Sequence, residues 1–395
     1  MRGLRRFFKL FEPVNKIGFT NKVNVFLNIL ENKTRRNKLL AHPIILDIVP
    51  TKLCNLDCVF CIQSSTIGAT ELSLDNFKII AKKLFPYALV VNFCSDGEPF
   101  LNKNFMEFLS ICKNYKVPVS ITSNGTLLSE AICTSLVKNN YATKFNFSFD
   151  GIKKQTVESI RRGINYQKVI DNMCLMVDLK KRYKQKYPLL MIRYTAMRKN
   201  IEELPELIQY ASSLGINGIV VTYLNVANEI DRKESLFYHP ALAKSIFEEA
   251  DRLAKELKIQ LKLPPLIGAQ NKIKACDMPW QFIKIGPDGS VRFCYKAWDN
   301  PVGNILEEGD FYSLWNSKHY QLIRKTVNTT KPYFKYCSVC CVRNGPGEES
   351  SHIQYQREDL YEFDKAYENL YNIKIPARLH SKPKNERGII SQKDK

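Results

Sequence analysis

Three cysteines fall within one short stretch, Cys54, Cys58 and Cys61, in a C-x3-C-x2-C run. Three thiolates so close together can hold one metal centre. A structural zinc ion wants a closed tetrahedron of four ligands, and Gln63, Ser64 and Ser65, which follow, supply no further Cys or His. An iron–sulfur cubane held by only three thiolates leaves one iron open to an exogenous ligand, and an open iron is reactive. A second group comprises Cys276, Cys294, Cys337 and Cys340, with Cys341 adjacent. Two cysteines on or near a hairpin plus a distant C-x2-C can converge on one centre and fill all its sites, as a zinc ion or as an iron–sulfur cluster. The chain has 12 Cys; in the reducing compartment expected for it they read as ligands, nucleophiles or small buried hydrophobes, not as a disulfide framework.

The elements that must position these groups are read from periodicity. From His42 to about Leu263, short β-branched or aromatic runs alternate with longer amphipathic stretches, the pattern of βα units around a parallel sheet. Strands are predicted at Ile44–Val49, Leu89–Cys94, Val119–Ser123, Phe145–Asp150, Leu189–Ala196 and Ile219–Leu224. Helices are predicted at Ser73–Phe85, Asn104–Tyr115, Ser129–Asn139, Tyr166–Tyr183, Ile201–Leu214 and Pro240–Leu257, with Ser73, Ser129 and Asn200 as N-caps and Gly215 as a stop. Ligands of such sheets gather at the carboxyl ends of the strands, and the first cysteine run directly follows the first strand. After Pro264-Pro265, the segments Trp280–Ile285 and Val291–Tyr295, joined by the turn from Gly286 to Gly289, read as a β-hairpin that opens a smaller domain. The expected organisation is a basic N-terminal helical extension over 1–43, a core over 44–263, the small domain over 264–344, and over 345–395 a helical segment near Glu358–Leu370 with a basic tail.

The cysteine run, with Phe60 before its last Cys, resembles the cluster-binding motif of radical S-adenosylmethionine (SAM) enzymes. Three further fragments follow in order, each at a predicted strand end. Asp96-Gly97-Glu98-Pro99 resembles the family's Gly-Gly-Glu-Pro segment, with Asp96 in place of the first Gly. Ser123-Asn124-Gly125 resembles its Thr-Asn-Gly segment, and Ser148-Phe149-Asp150-Gly151 with Arg161 downstream resembles the pattern whose Ser and Arg meet the SAM carboxylate; Arg162 is an equal candidate. The resemblance implies a partial (β/α)6 TIM-type barrel, a [4Fe-4S] cluster on Cys54, Cys58 and Cys61, and SAM contacts from Phe60, Gly97, Glu98, Ser123, Ser148 and Arg161, with Glu98 holding the methionine amino group. It implies reductive cleavage of SAM to a 5′-deoxyadenosyl radical that abstracts hydrogen from substrate, with an electron donor such as a flavodoxin or ferredoxin.

The second cysteine group, with its Cys276, Gly289, Cys294 spacing and the segments Gly303-Asn304-Ile305 and Leu314-Trp315-Asn316, resembles the auxiliary-cluster extension called the SPASM domain. No Cys follows Cys341. The resemblance is therefore to the reduced, twitch-type form with one auxiliary [4Fe-4S] cluster, ligated by Cys276, Cys294, Cys337 and Cys340, with Cys341 able to replace Cys340. Zinc on the same thiolates is the competing reading.

The formal charge of +20 sits mostly at the ends. Residues 1–43 carry ten Lys/Arg against Glu12 and Glu31, and residues 372–395 carry seven against Glu386 and Asp394, so these segments hold +8 and +5. A zinc-containing nucleic-acid-binding protein, the alternative of another class, would need its basic face across the folded core. The single auxiliary cluster favours a small polar metabolite of sugar or cyclitol type as substrate; the basic N-terminus favours a peptide or protein. Ile17, Phe19, Val23, Phe26, Leu27 and Leu30, beside Lys16, Lys22 and Lys33, read as one face of a docking helix for an acidic peptide, an anionic membrane surface or a phosphorylated substrate. No apolar run approaches the ~18 residues of a membrane span and the N-terminus lacks a secretory h-region, so a cytoplasmic location is expected, with peripheral contact through the basic termini. Cys112, Cys133 and Cys174 read as core. Cys94 and Cys341 read as spare or as hydrogen-atom donors. Trp280, Trp298 and Trp315 read as packing residues, and Asp150, Arg193 and Tyr223 near strand ends receive no catalytic role.

Overall fold

Every predicted βα unit of the core is formed, because each strand is a short, largely buried apolar run and each helix has one apolar stripe to lay on it. The computed structural model describes residues 18–61, 70–93, 96–225, 233–267, 275–295, 297, 301–307, 309–338 and 340. Cys94, Cys341, Trp298, Gln63 to Ser65, Lys16, Ile17 and the segment expected at 358–370 lie outside the described residues.

Strands β1 (Ile45–Ile48), β3 (Val90–Phe93), β4 (Val119–Ser123), β5 (Lys144–Ser148), β7 (Leu189–Ala196) and β8 (Gly218–Tyr223) lie side by side in that order, all parallel. A short β9 (Gln260–Lys262) continues the parallel set beyond β8. On the other side of β1 lies β10 (Phe282–Ile285), also parallel, followed by antiparallel β11 (Ser290–Arg292) and β12 (Gly303–Asn304). The hairpin predicted around Gly286 to Gly289 therefore exists, but its first strand is also the neighbour of β1, so one sheet of ten strands runs from β12 to β9. The end strands do not pair with one another, and the sheet is open rather than a closed barrel. Apart from it, β2 (Asp57–Cys58) and β6 (Arg161–Arg162) make a small antiparallel pair.

Helices α1 (Phe19–Thr34), α2 (Leu74–Leu84), α3 (Phe105–Asn114), α4 (Glu130–Lys138), α5 (Lys154–Ile160), α6 (Tyr166–Arg182), α7 (Leu204–Leu214) and α8 (Pro240–Glu256) alternate with the strands. Ser73 and Ser129 cap α2 and α4 by accepting from the N–H groups of Asn76 and Ile132. Gly215 ends α7 at φ 88°, a left-handed turn that favours glycine. Asn200 differs from expectation: its side chain caps no helix but donates to the Asp150 and Thr195 carbonyls, because the chain crosses directly over the end of β5 there.

Pairing register places Leu46, Val91, Ile121, Phe145, Ile192 and Ile219 on one face of the sheet, where they join helix residues such as Phe77, Phe108 and Leu207 in the main core. Phe77 stacks on Phe108 at 4.1 Å. Each such buried aromatic stabilises the fold by roughly 1.5–3 kcal/mol. The opposite face carries the sheet's polar residues, with Asp47, Asn92, Thr122, Asn146, Arg193 and Lys284 on it among Ile45, Val90, Met191 and Val220. Cys112 and Cys133 are fully buried and Cys174 partly so, as core residues should be. Trp280 and Trp315 are buried with their indole N–H groups on the Arg36 and Ala41 carbonyls, so they tie the C-terminal region to the segment after α1. Among the described residues no helix is long and apolar enough to cross a membrane.

Candidate functional site

The cysteine loop leaves the carboxyl end of β1. Its start is held by backbone bonds from Lys52 N–H to Thr70 O and from Glu98 N–H to Leu53 O (2.8 Å). The second strand's loop closes on it so tightly that a Cβ on Gly97 would lie 2.3 Å from Thr51 O and 2.6 Å from Leu53 O. Gly97 is therefore fixed by close backbone approach. Cys58 lies on β2, paired with Arg161 on β6, and Val59 N–H reaches Ile160 O at 2.9 Å. Cys61 N–H turns back onto Cys58 O at 3.0 Å. Cys54 is exposed, Cys58 buried and Cys61 half-buried. Burial pushes the Cys58 thiol up to about 11, with Arg161 acting against it and the neighbouring Cys61 and Cys54 adding to it. The three thiols thus share one electrostatic environment. Among the described residues no three His, Cys, Asp or Glu side chains surround a single-ion position.

Glu98, buried, begins a short 3-10 turn and accepts Phe100 N–H at 3.4 Å, Ser123 Oγ–H at 2.8 Å and Asn124 N–H at 2.8 Å. The motifs after β3 and β4 therefore meet at one carboxylate. Burial pushes its pKa up to about 7, against the lowering effect of those donors and of Arg161. Asn55, inside the cysteine loop, donates to Thr126 Oγ1 (2.8 Å) and accepts from Asn124 Nδ2 (2.9 Å), which ties the first motif to the third.

Arg161 is buried, its Nη2 2.7 Å from Asp150 Oδ2 and its Nη1 3.8 Å from Cys58 Sγ, and its guanidinium lies 5.5 Å over the Phe60 ring. Burial alone would lower its pKa; Asp150 and Cys58 outweigh that and hold the guanidinium charged. Arg162, the other candidate from sequence, is exposed and only 3.9 Å from Asp57 in a solvent-facing pair. Ser148 ends β5 half-buried, in register with Arg193. Asp150 had no role from sequence. Its Oδ1 accepts Thr195 N–H at 2.6 Å, so it anchors Arg161 to β7.

Asp96, the departure from Gly-Gly-Glu-Pro, takes φ 68°, a left-handed conformation that Asp tolerates better than most residues. Its carboxylate meets Lys284 Nζ at 2.7 Å, both side chains being buried. Lys284 lies on β10, and nothing in local sequence signals that a hairpin strand will pair with β1 and deliver a cation to the second motif.

In the C-terminal region, Cys276 is bracketed by Asn328, which accepts its N–H at 2.7 Å and donates to its O at 3.1 Å. Cys294 follows β11, and Cys337 lies on the short α-helical turn Lys335–Ser338. Phe293, next to Cys294, stacks 5.4 Å from Phe334 and 6.5 Å from Tyr336, the neighbour of Cys337. This packing brings the hairpin cysteine and the C-x2-C segment into one small core. None of the described cysteines forms a disulfide.

Comparison with known proteins agrees with this geometry. Residues 48–211 match the radical SAM superfamily model and residues 276–341 the SPASM iron–sulfur cluster-binding domain model. A probable GTP 3′,8-cyclase from Methanocaldococcus jannaschii is 22% identical over 73% of this chain and 96% of its own length. The antilisterial bacteriocin subtilosin biosynthesis protein AlbA from Bacillus subtilis is 23% identical over 74% of this chain and 66% of its own. The crystal structure of Streptococcus suis SuiB bound to S-adenosylmethionine superposes with a TM-score of 0.61 at 18% identity, covering 75% of this chain and 71% of that one. SuiB bound to its precursor peptide SuiA gives 0.60 at 17% identity, covering 83% and 78%. The cofactors are accordingly SAM with a [4Fe-4S] cluster, and auxiliary iron–sulfur in the C-terminal domain. The chain is a radical SAM enzyme with a C-terminal SPASM domain.

Proposed function

We propose that this enzyme modifies a peptide or protein side chain, and that its substrate carries acidic groups. The carrying observation is the sheet face opposite the main core between β5 and β9. Lys144 is half-buried there, Arg193 and Lys262 are exposed, and strand register puts all three on one side. Burial lowers the Lys144 pKa, and Arg193 and Lys262 lower it further. These cations have no acidic partner among the described residues, and the face is not closed by a β9–β12 pairing. A cationic sheet face suits an extended acidic chain better than a small neutral cyclitol, the substrate type favoured by the cysteine count alone. Peptide-linked relatives such as AlbA and SuiB support the same choice. Fluorescence anisotropy of labelled peptides tests it. An acidic peptide should bind in a salt-sensitive way, and Arg193→Gln with Lys262→Gln should weaken it by about tenfold or more. Equal binding of basic and acidic peptides, or turnover of a neutral cyclitol alone, would overturn it.

The residues fit the cofactors. Arg161 Nε is buried and has no hydrogen-bond partner among the described residues, a donor beside the cysteine loop for the SAM carboxylate. Cys54, Cys58 and Cys61 would hold the cluster, leaving one iron for SAM, and Cys276, Cys294, Cys337 and Cys340 a single auxiliary cluster. When bound, cluster and SAM supply one-electron chemistry that removes a hydrogen atom from the substrate. Ser123 and Asn124 donate to Glu98, which would take the SAM amino group, Phe60 lies under the Arg161 guanidinium, and Gly97 and Ser148 would complete the SAM contacts.

The amino group is a cation and favours ionised Glu98. Below pH 7 the carboxyl must lose its proton before SAM binds, so affinity should fall by up to about tenfold per pH unit and level off above neutrality. Glu98→Gln should weaken SAM binding and flatten that profile, as measured by equilibrium dialysis; a profile as steep as that of the unsubstituted protein would remove Glu98 from the site.

A further inference from the structure

We propose that α1 docks the enzyme onto an anionic lipid bilayer, lying in the headgroup plane on the side formed by Phe19, Val23, Phe26 and Leu30. A surface helix of a globular protein turns its apolar stripe inward. This helix does the reverse. Asn21 donates to the Phe85 and Ala88 carbonyls at 2.9 and 2.7 Å, Asn24 to Tyr87 O at 2.9 Å, and Asn28 to Trp280 O at 2.6 Å. Glu31 accepts the N–H groups of Leu40 and Ala41 at 2.8 and 2.9 Å. Its polar side therefore holds the helix on the body, and among the described residues Val25 and Ile29 add apolar packing against Ile44, Ile45 and Leu89. Outward, Phe19 is 82% exposed, Phe26 65%, Leu30 48% and Val23 41%.

These four residues recur at steps of four, three and four, one stripe down the helix. Lys22 and Lys33 are exposed along it, and Arg36, Lys38 and the 60% exposed Leu40 follow. Glu31 is the one acid between Gly18 and Pro43, and it is buried. An apolar stripe edged only by cations is the composition of an interfacial helix on an anionic surface. An acidic peptide would match the charge but gains little from the protruding side chains of Phe19, Val23, Phe26 and Leu30. The preceding sequence repeats the composition, with Arg2, Arg5, Arg6 and Lys9 among Phe7, Phe8, Leu10 and Phe11. Placement agrees as well. The asparagine contacts lie before β3 and β1, at the opposite end of β1 from the cysteine loop, so docking leaves Cys54 to Cys61 facing away from lipid.

The test is co-sedimentation of the full chain, purified without oxygen, with phosphatidylcholine vesicles with and without about a third phosphatidylglycerol. Binding should be at least about tenfold tighter to the anionic vesicles and should weaken with salt. The variant Phe19→Ser, Phe26→Ser, Leu30→Ser should lose at least about tenfold of that affinity while keeping its iron content and unfolding midpoint. Lys22→Gln with Lys33→Gln should lose part of it. Equal binding to both vesicle types, or unchanged binding of the triple variant, would overturn the proposal. So would a triple variant that unfolds more easily, which would show that the stripe is covered by this chain, or one that only turns a dimer into a monomer.

Discussion

Cys58→Ala is expected to remove about four of about eight irons per chain and to abolish reductive SAM cleavage, with almost no effect on the fold. Cys58 is the buried member of the three-cysteine loop, held by the β2–β6 ladder beside Arg161. Two remaining thiolates cannot retain a cubane, and among the described residues of the loop there is no further thiol to replace it. The substitution itself deletes only a sulfur, a cost of about 1 kcal/mol or less beside a backbone ladder that stays intact. Cys294→Ala is expected to lose a similar share of iron from the C-terminal domain yet still cleave SAM, because the first loop is untouched, while substrate turnover fails. Iron, sulfide and zinc analysis of oxygen-free protein, with 5′-deoxyadenosine release as the second readout, separates the two variants. Zinc in place of iron at the Cys276 group would make that domain architectural and remove its part in electron transfer.

The fold was legible where local periodicity dictates it. All six core strands, helices α2, α3, α4, α6 and α8 and the Gly286 to Gly289 turn are formed within a residue or two of their predicted ends, because short apolar runs and serine caps are local signals; α7 begins three residues after the predicted Ile201, behind a 3-10 turn over Ile201–Glu203, and α5 is a helix that the periodicity does not predict. Long-range pairing was not. Nothing in Trp280–Ile285 says that it will run parallel to β1, and the two-residue strands at Cys58 and Arg161 are too short to carry a pattern. The site shows the same division. The motif residues Glu98 and Ser123 meet, with Asn124 beside them, while the partners that fix them, Asp150 for Arg161 and Lys284 for Asp96, come from elsewhere in the sheet. The docking stripe was legible as a pattern. Its direction was not, because whether an amphipathic helix turns its apolar or its polar side inward depends on which carbonyls it meets, here those of Phe85, Ala88 and Trp280.

Asp150→Ala should destabilise the apoprotein by about 3–5 kcal/mol, because it strands the Arg161 guanidinium in a buried site without its counter-charge. The loss exceeds that of an ordinary ion pair because neither side chain can recover water: their exposures are 9% and 0%. Asp150→Asn retains an acceptor for Thr195 N–H and should cost less. Adding Arg161→Met to Asp150→Ala should restore part of the lost stability, since it removes the unpaired charge; a double-mutant cycle from urea unfolding measures that coupling. Iron retention reports the functional side. Arg161 pairs with Cys58 through the β2–β6 backbone as well as through its guanidinium, so loosening the side chain should loosen the loop that presents the thiol. If Asp150→Ala kept both full stability and full iron, the pair would have no part in holding the cysteine loop, and the positioning of Cys58 would rest on the backbone ladder alone.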